Sequence, residues 1–415
     1  MRMRRKWILA ALGMTLLLTS CGHSAGKSQS EAEPLDQQER EAVLAMLDKS
    51  IVEAQNAFGL RLYQQLETEQ KSGNNVILSP YSISAALALA YNGSAGETKA
   101  EMEKVLGWTG MEQDQVNKGN SQLRLLLERG SGVMVNTANS IWIQEGFTLQ
   151  EDYLNRLKEF YDAQAYSADL ASNAFVKDIN KWVDQQTGGM IKELYQDPPG
   201  LTAALVNTIY FNGRWEHVFN PEFTKKESFT QADGSVQEVP MMTMERRYDY
   251  KESEAWQAVK LPYGDGRMYM LVILPSETSS LEELHTLLWK DASLWDTDYS
   301  YETVKLGLPR FKAEGSVRLE DTLEAMGLEK ATDPRQADFS GITKESGLFI
   351  SQVLHKTVVD VNEEGTEAAA VTAIGMAGSA PPEKPIEMTV NRPFFFAIVE
   401  RDTGAWLFMG GIRQL

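Results

Sequence analysis

The sequence predicts an α+β fold, with helices gathered in the first half of the chain and strands in the second. Three observations carry this. Leu47, Ile51, Ala54, Phe58 and Leu62 recur at steps of three and four residues, the spacing of one buried helix face. The run from Ala203 to Phe211 is too uniformly apolar for a half-exposed strand, so it predicts a central strand covered on both faces. Phe394–Val399 and Trp406–Met409, separated by a turn at Asp402–Thr403–Gly404, read as a hairpin.

Taken in chain order, the first segment is an export signal. Arg2, Arg4, Arg5 and Lys6 precede an apolar stretch from Trp7 to Leu18, shorter than the roughly 20 residues a membrane-spanning helix needs. It ends at Leu18–Thr19–Ser20–Cys21–Gly22, which looks like a bacterial lipobox, so residues 1–20 are expected to be removed and Cys21 lipidated. Two or more acyl chains on one residue give stable anchoring, at about 0.8 kcal/mol per buried methylene. The expected location is therefore extracellular or in the cell envelope, held on a membrane. Cys21 is the only cysteine in the chain, which excludes an intramolecular disulfide. His23 to Arg40 is polar and rich in Ser, Glu and Gln, and is read as a tether; residues 21–50 then comprise the tether and the start of the first helix.

Further helices are expected from Ser79–Pro80, a cap followed by proline at the first helical position, to Asn92–Gly93, and from Leu149 to Tyr161. Val304, Leu306 and Leu308 alternate with Lys305 and Gly307, the pattern of a one-sided strand. Residues 51–415 contain no repeat or low-complexity break and are read as one large domain, two domains being the compositional alternative. The formal charge of −18 becomes −22 once the four signal-peptide cations and no acids are removed. Nucleic acid and anionic lipid are disfavoured as partners, because binding phosphate requires clustered Lys and Arg.

No convergent catalytic set is visible. The four histidines stand at 23, 217, 285 and 355, with no His-Glu-x-x-His pair, no Gly-x-Ser-x-Gly elbow and no phosphate-binding Gly-x-x-x-x-Gly-Lys loop. The expectation is a protein that is not an enzyme and uses no metal or cofactor. Abundant carboxylates leave a glycosidase pair open on composition alone.

The segment from Gly365 to Ala380, followed by Pro381–Pro382, consists almost entirely of small side chains. It reads either as a helix end with a surface loop or as an extended strand. If it is extended, Thr366, Ala368, Ala370, Thr372, Ile374 and Met376 face one side without a charge, and Glu367 falls on the other. Such a segment can enter a gap in a sheet without burying an ion. A dozen residues gaining backbone bonds at about 1 kcal/mol each would release on the order of 10 kcal/mol, less the entropy of ordering the loop.

Glu363–Glu364–Gly365–Thr366–Glu367–Ala368–Ala369–Ala370 resembles the hinge of inhibitory serpins. Asn75–Ile83 with Gly93–Thr98, Leu205–Trp215, Leu261–Tyr263, Ala337–Ile342, Ser351–Lys356 and Met388–Phe396 resemble further blocks of that family, in family order from about Ile51 to Leu415. One departure is Met190, where the family commonly has Lys. The resemblance implies a large mixed, mainly antiparallel sheet, two further sheets, eight to nine helices and an exposed reactive-centre loop over about residues 363–385. It implies a monomeric suicide-substrate inhibitor of serine proteases that traps a covalent acyl-enzyme by inserting the cut loop into the main sheet. The alternative is a non-inhibitory member acting as a binding or chaperone-like protein. By family spacing the reactive bond is Ser379–Ala380, with Met376–Ala377 and Gly378–Ser379 as alternatives, and small residues there imply elastase-like or subtilisin-like targets. The resemblance also places Ser79, Ser82, Asn207 and His355 in a polar cluster beneath the main sheet, and Trp215 where the loop first enters.

Overall fold

Asp36 opens the first helix, α1 (Gln37–Met46), by accepting from the Glu39 amide while the Glu39 carboxylate accepts from the Asp36 N–H. The computed structural model to which this helix belongs describes residues 34–69, 73–129, 133–295, 297–366 and 384–415. The expected signal peptide, Cys21, and the loop residues Glu367, Ala368, Ala369, Ala370, Met376, Ala377, Gly378, Ser379 and Ala380 lie outside the described residues.

Next comes α2 (Lys49–Glu69), whose buried face carries Ile51, Ala54, Phe58 and Leu62 as their spacing predicts. After β1 (Val76–Leu78), Ser79 accepts from the Ser82 amide and Pro80 takes the first helical position of α3 (Pro80–Tyr91). The series continues through α4 (Gly96–Leu106), α5 (Gln113–Glu128), β2 (Val133–Gln144), α6 (Glu151–Tyr161), β3 (Gln164–Ala168) and α7 (Asn173–Gln186). The long apolar run becomes β4 (Ala203–Arg214). Strands β5 (Lys225–Thr230), β6 (Val236–Glu252), β7 (Trp256–Tyr263) and β8 (Met268–Pro275) follow, then α8 (Leu281–Lys290). The remaining elements are β9 (Ser300–Pro309), β10 (Phe311–Arg318), α9 (Glu320–Ala325), β11 (Gln352–Val361), β12 (Gly365–Thr366), β13 (Ile386–Thr389), and the expected hairpin, β14 (Phe394–Glu400) and β15 (Trp406–Ile412).

The strands form two sheets. Six make the order β10-β11-β4-β2-β3 with β12 beside β4; nine make β1-β15-β14-β8-β7-β6-β9-β13 with β5 beside β6. The 17-residue β6 pairs with β5, β7 and β9, so what the resemblance divides into two further sheets is one hydrogen-bonded ladder here. Helix α3 packs against β2 and β4 of one sheet and β15 of the other, which is why every one of its residues is buried. Among the described residues there are nine α-helices, matching the expected number. None is long and apolar enough to cross a membrane.

Two sequence expectations change. The segment read as tether is folded at its end: Leu35, Arg40 and Leu47 are buried, and residues 37–46 are helical. Arg40 donates through Nη2 to Glu400 (2.5 Å) and Asp402 (2.8 Å) and through Nη1 to the Leu126 carbonyl (3.3 Å). Polar composition could not reveal this, because the partners lie 86 to 362 residues away. In β9, Lys305 is exposed as expected, but Gly307 is buried because Thr389 of β13 and Met241 of β6 close over it.

Candidate functional site

The site is a seam. In the six-stranded sheet, β11 and β4 run parallel and pair from Gln352↔Ala204 to Val358↔Tyr210. Both strands continue beyond that point without pairing to each other. The chain then turns at Asn362–Gly365 and β12 pairs antiparallel with β4, Gly365 opposite Arg214 and Thr366 opposite Gly213. Strand β2 already holds the other edge of β4 as far as Gly213, so β12 takes the edge that β11 occupies lower down. The chain entering the six-stranded sheet at β12 therefore points down the seam, antiparallel to both strands that flank it.

The turn is anchored residue by residue. Trp215 donates its backbone N–H to the Glu364 carbonyl (2.9 Å) and its indole N–H to the Asn362 carbonyl (2.9 Å). Its ring stacks on Tyr263 with centroids 4.3 Å apart. The Phe219 N–H reaches the Glu363 carbonyl at 2.8 Å. The Glu363 side chain, 7 % exposed, accepts from Thr224 Oγ1 (2.8 Å) and faces the Arg310 guanidinium at 3.5 Å. Gly365 is required by space and by conformation: its φ is +138°, and a Cβ there would lie 2.2 Å from the Gly213 carbonyl oxygen.

Lower in the seam, a polar row crosses three strands. Asn139 of β2 is paired with Asn207 of β4, which is paired with His355 of β11. The Ser79 N–H donates to His355 Nε2 (3.1 Å), so that nitrogen is bare and Nδ1 carries the proton it gives to Asn207 Oδ1 (2.6 Å). Asn207 Nδ2 in turn donates to the Ser82 carbonyl (2.9 Å), Ser82 Oγ (2.5 Å) and Asn139 Oδ1 (2.5 Å). Burial pushes the His355 pKa down to about 3, so the ring is neutral at ordinary pH. The cluster thus ties β2, β4 and β11 to the start of α3.

On the other face of the seam lies the connection from α7 to β4. Lys356 Nζ donates to the Glu193 carbonyl (3.0 Å), Tyr195 OH bonds Gln352, and Ile191 packs with Val183 and Val358. Met190, where the family commonly has Lys, is partly buried against the same cluster.

Of the residues predicted for the site, Ser79, Ser82, Asn207 and His355 converge, and Trp215 holds the loop's entry turn with Glu363 and Gly365. Thr366 is placed by its backbone pairing. Three contributors were missed: Asn139, Thr224 and Arg310. Asn139 was findable, since it shares a strand face with buried Ile141 and Ile143 and a polar residue in that row needs a partner. Arg310 and Thr224 meet Glu363 only through the tertiary fold.

Known proteins resemble this chain in sequence and in fold. The model of the family described as Serpin (serine protease inhibitor) matches residues 53–415. An uncharacterized serpin-like protein of Thermococcus kodakarensis is 36 % identical over 376 residues, covering 88 % of this chain and 85 % of that protein. The crystal structure of a thermophilic serpin, tengpin, in its native state superposes with a TM-score of 0.82 at 30 % identity, covering 93 % of this chain and 98 % of the other. Human thyroxine-binding globulin complexed with thyroxine superposes with a TM-score of 0.80 at 27 % identity, over 88 % of this chain and 99 % of the other. Matched by the family model over most of its length and by relatives in sequence and in fold, this chain belongs to the serpin family.

Proposed function

We propose that this protein is a single-use inhibitor of serine proteases that works by loop insertion. The observation that carries the reading is β12: Gly365 and Thr366 already pair with β4 on the edge that an inserted strand would use. From Ala369 onward, each further residue would replace one parallel β11–β4 pairing with antiparallel pairings on both sides, beginning at Val358–Tyr210. In this reading the protease attacks the loop as substrate, at Ser379–Ala380 or at one of the neighbouring bonds. The acyl-enzyme is carried away as the loop enters, and its catalytic site is distorted before water can release it. The inhibitor supplies conformational free energy and no catalytic group. Small residues at the bond favour elastase-like and subtilisin-like enzymes, and the protein acts as a monomer held to a membrane through lipidated Cys21.

The purified protein, incubated with one protease of each type, is expected to give an SDS-resistant complex and to release a C-terminal peptide that identifies the bond. Thr366→Arg would force a cation into the seam beside Gly213, so the variant should be cleaved with less than about one-tenth of wild-type trapping. Equal trapping by that variant sinks the mechanism. Cys21→Ser should move the protein from the membrane to the soluble fraction. The structural likeness to thyroxine-binding globulin supports a second reading, a serpin that binds a ligand and does not trap proteases. Loop cleavage without a complex and without a rise in thermal stability would favour it.

A further inference from the structure

Two lengths of chain constrain where a protease on the loop must sit. From Thr366 to Ser379 the loop can span about 45 Å, whereas from Ser379 to Lys384 it can span about 17 Å. For the alternative bond after Met376 the second span is about 28 Å. A protease domain of about 250 residues has a radius of gyration near 18 Å, so its body overlaps the rim where the chain re-enters at β13.

Among the described residues no strand covers that rim of β9 beyond β13. Strand β13 pairs parallel with β9 only from Ile386↔Val304 to Thr389↔Gly307. Residues 300–303 of β9 extend past the start of β13, and Pro385 offers no N–H to continue the ladder. On this stretch Tyr301 is 55 % exposed, and the Arg247 guanidinium of β6 lies over its ring at 4.4 Å while donating to its carbonyl. Among the described residues Arg247 forms no ion pair, although the chain carries a formal charge of −18. Tyrosine and arginine are the residue types most often found at the energetic centre of protein interfaces.

We propose that Tyr301 and Arg247, which share one face of the nine-stranded sheet, form a second contact surface for the protease docked on the loop, one that meets an acidic patch on that enzyme. The proposal rests on the loop being protease bait and does not depend on trapping. The surface raises the rate at which protease and loop meet, because charges at the edge of an interface act mainly on association.

The test compares full-length protein with Tyr301→Ala, Arg247→Ala and Arg247→Glu, measuring the second-order rate of loop cleavage by the elastase-like and subtilisin-like enzymes. Tyr301→Ala is expected to lower the rate about ten-fold with at least one enzyme, and Arg247→Glu more than Arg247→Ala. The charge effect should shrink in about 1 M salt, where the screening length falls to about 3 Å. Melting temperature and the ratio of trapped to cleaved molecules should not move, since the pair is exposed and belongs to the other sheet from the seam. Rates within two-fold of wild type for both enzymes at low salt overturn the proposal. A loop that neither enzyme cuts removes it together with the inhibitory reading. Cleavage without trapping, at a rate that still depends on Tyr301, refutes trapping alone and leaves the surface standing.

Discussion

Two buried histidines divide the molecule into contrasting regions. His355 sits in the seam, and His285 lies on the buried face of α8, where Nε2 is 2.8 Å from Tyr63 OH and Arg413 bonds Glu67 at 2.6 Å nearby. Both rings are nearly inaccessible, and burial pushes both pKa values down to about 3, helped at His285 by the charge of Arg413. Their partners differ in kind. His285 bonds a helix, α2, which packs on a sheet region where β14 has β8 and β15 on its two sides and β15 has β1 and β14. His355 bonds residues of β4 and of the loop entering α3, across a strand pair whose hydrogen bonds another strand could take over. Equal burial therefore has unequal consequences. A polar contact in a closed region sets how stable the fold is; under the proposed insertion, one in the seam would also set which of two arrangements forms.

That contrast can be broken most forcefully at the closed end. Arg40→Ala leaves Glu400, fully buried, without its guanidinium, and should cost about 3–5 kcal/mol of unfolding free energy. Denaturant titration reads this, and the fraction of protease trapped should stay unchanged. His355→Leu strands the Ser79 N–H and Asn207 Oδ1, and should destabilise the starting form by about 2–4 kcal/mol. Its distinguishing signature is a slow conversion on storage to a species with a higher melting temperature and no inhibitory activity. Loss of stability without that conversion would make the seam an ordinary core.

Acid sharpens the comparison more gently. Between pH 6.5 and about 3 the unfolded chain binds protons that the two folded histidines do not. Stability is thus full above pH 6.5 and falls as pH drops, by about 1.4 kcal/mol per unit for each histidine. His285→Gln should remove about half of the slope that these two residues contribute, and His355→Gln the other half. Stability curves at pH 7, 6 and 5 measure it.

Much of the fold was legible because local patterns and tertiary needs agreed. The 3.6-residue spacing of α2, the Ser79–Pro80 cap of α3 and the apolar run of β4 each demanded the element that forms. The site was legible through family resemblance more than through chemistry, since serines, an asparagine and a histidine scattered from 79 to 355 carry no motif of their own. What escaped were interactions made by distant charged residues. Arg40 looked like part of a tether because nothing near it in sequence is its partner, and Arg310 lies 53 residues from Glu363. The short β12 was equally invisible, since two residues give no periodicity.

Strand β12 also acts as an address label. Pairing Gly365 with Arg214 and Thr366 with Gly213 fixes parity for everything that would follow down the seam. In the same register Ala368 would come opposite Phe211, Ala370 opposite Ile209, Thr372 opposite Asn207 and Ile374 opposite Leu205. The uncharged side of the segment would then meet the buried row of β4, and the Thr372 hydroxyl would arrive where His355 now bonds Asn207. A slip of one residue would send Glu367 inward instead. Under the proposed insertion, two residue pairs at the mouth of the seam would thus decide which groups of a dozen-residue strand end up in the dark.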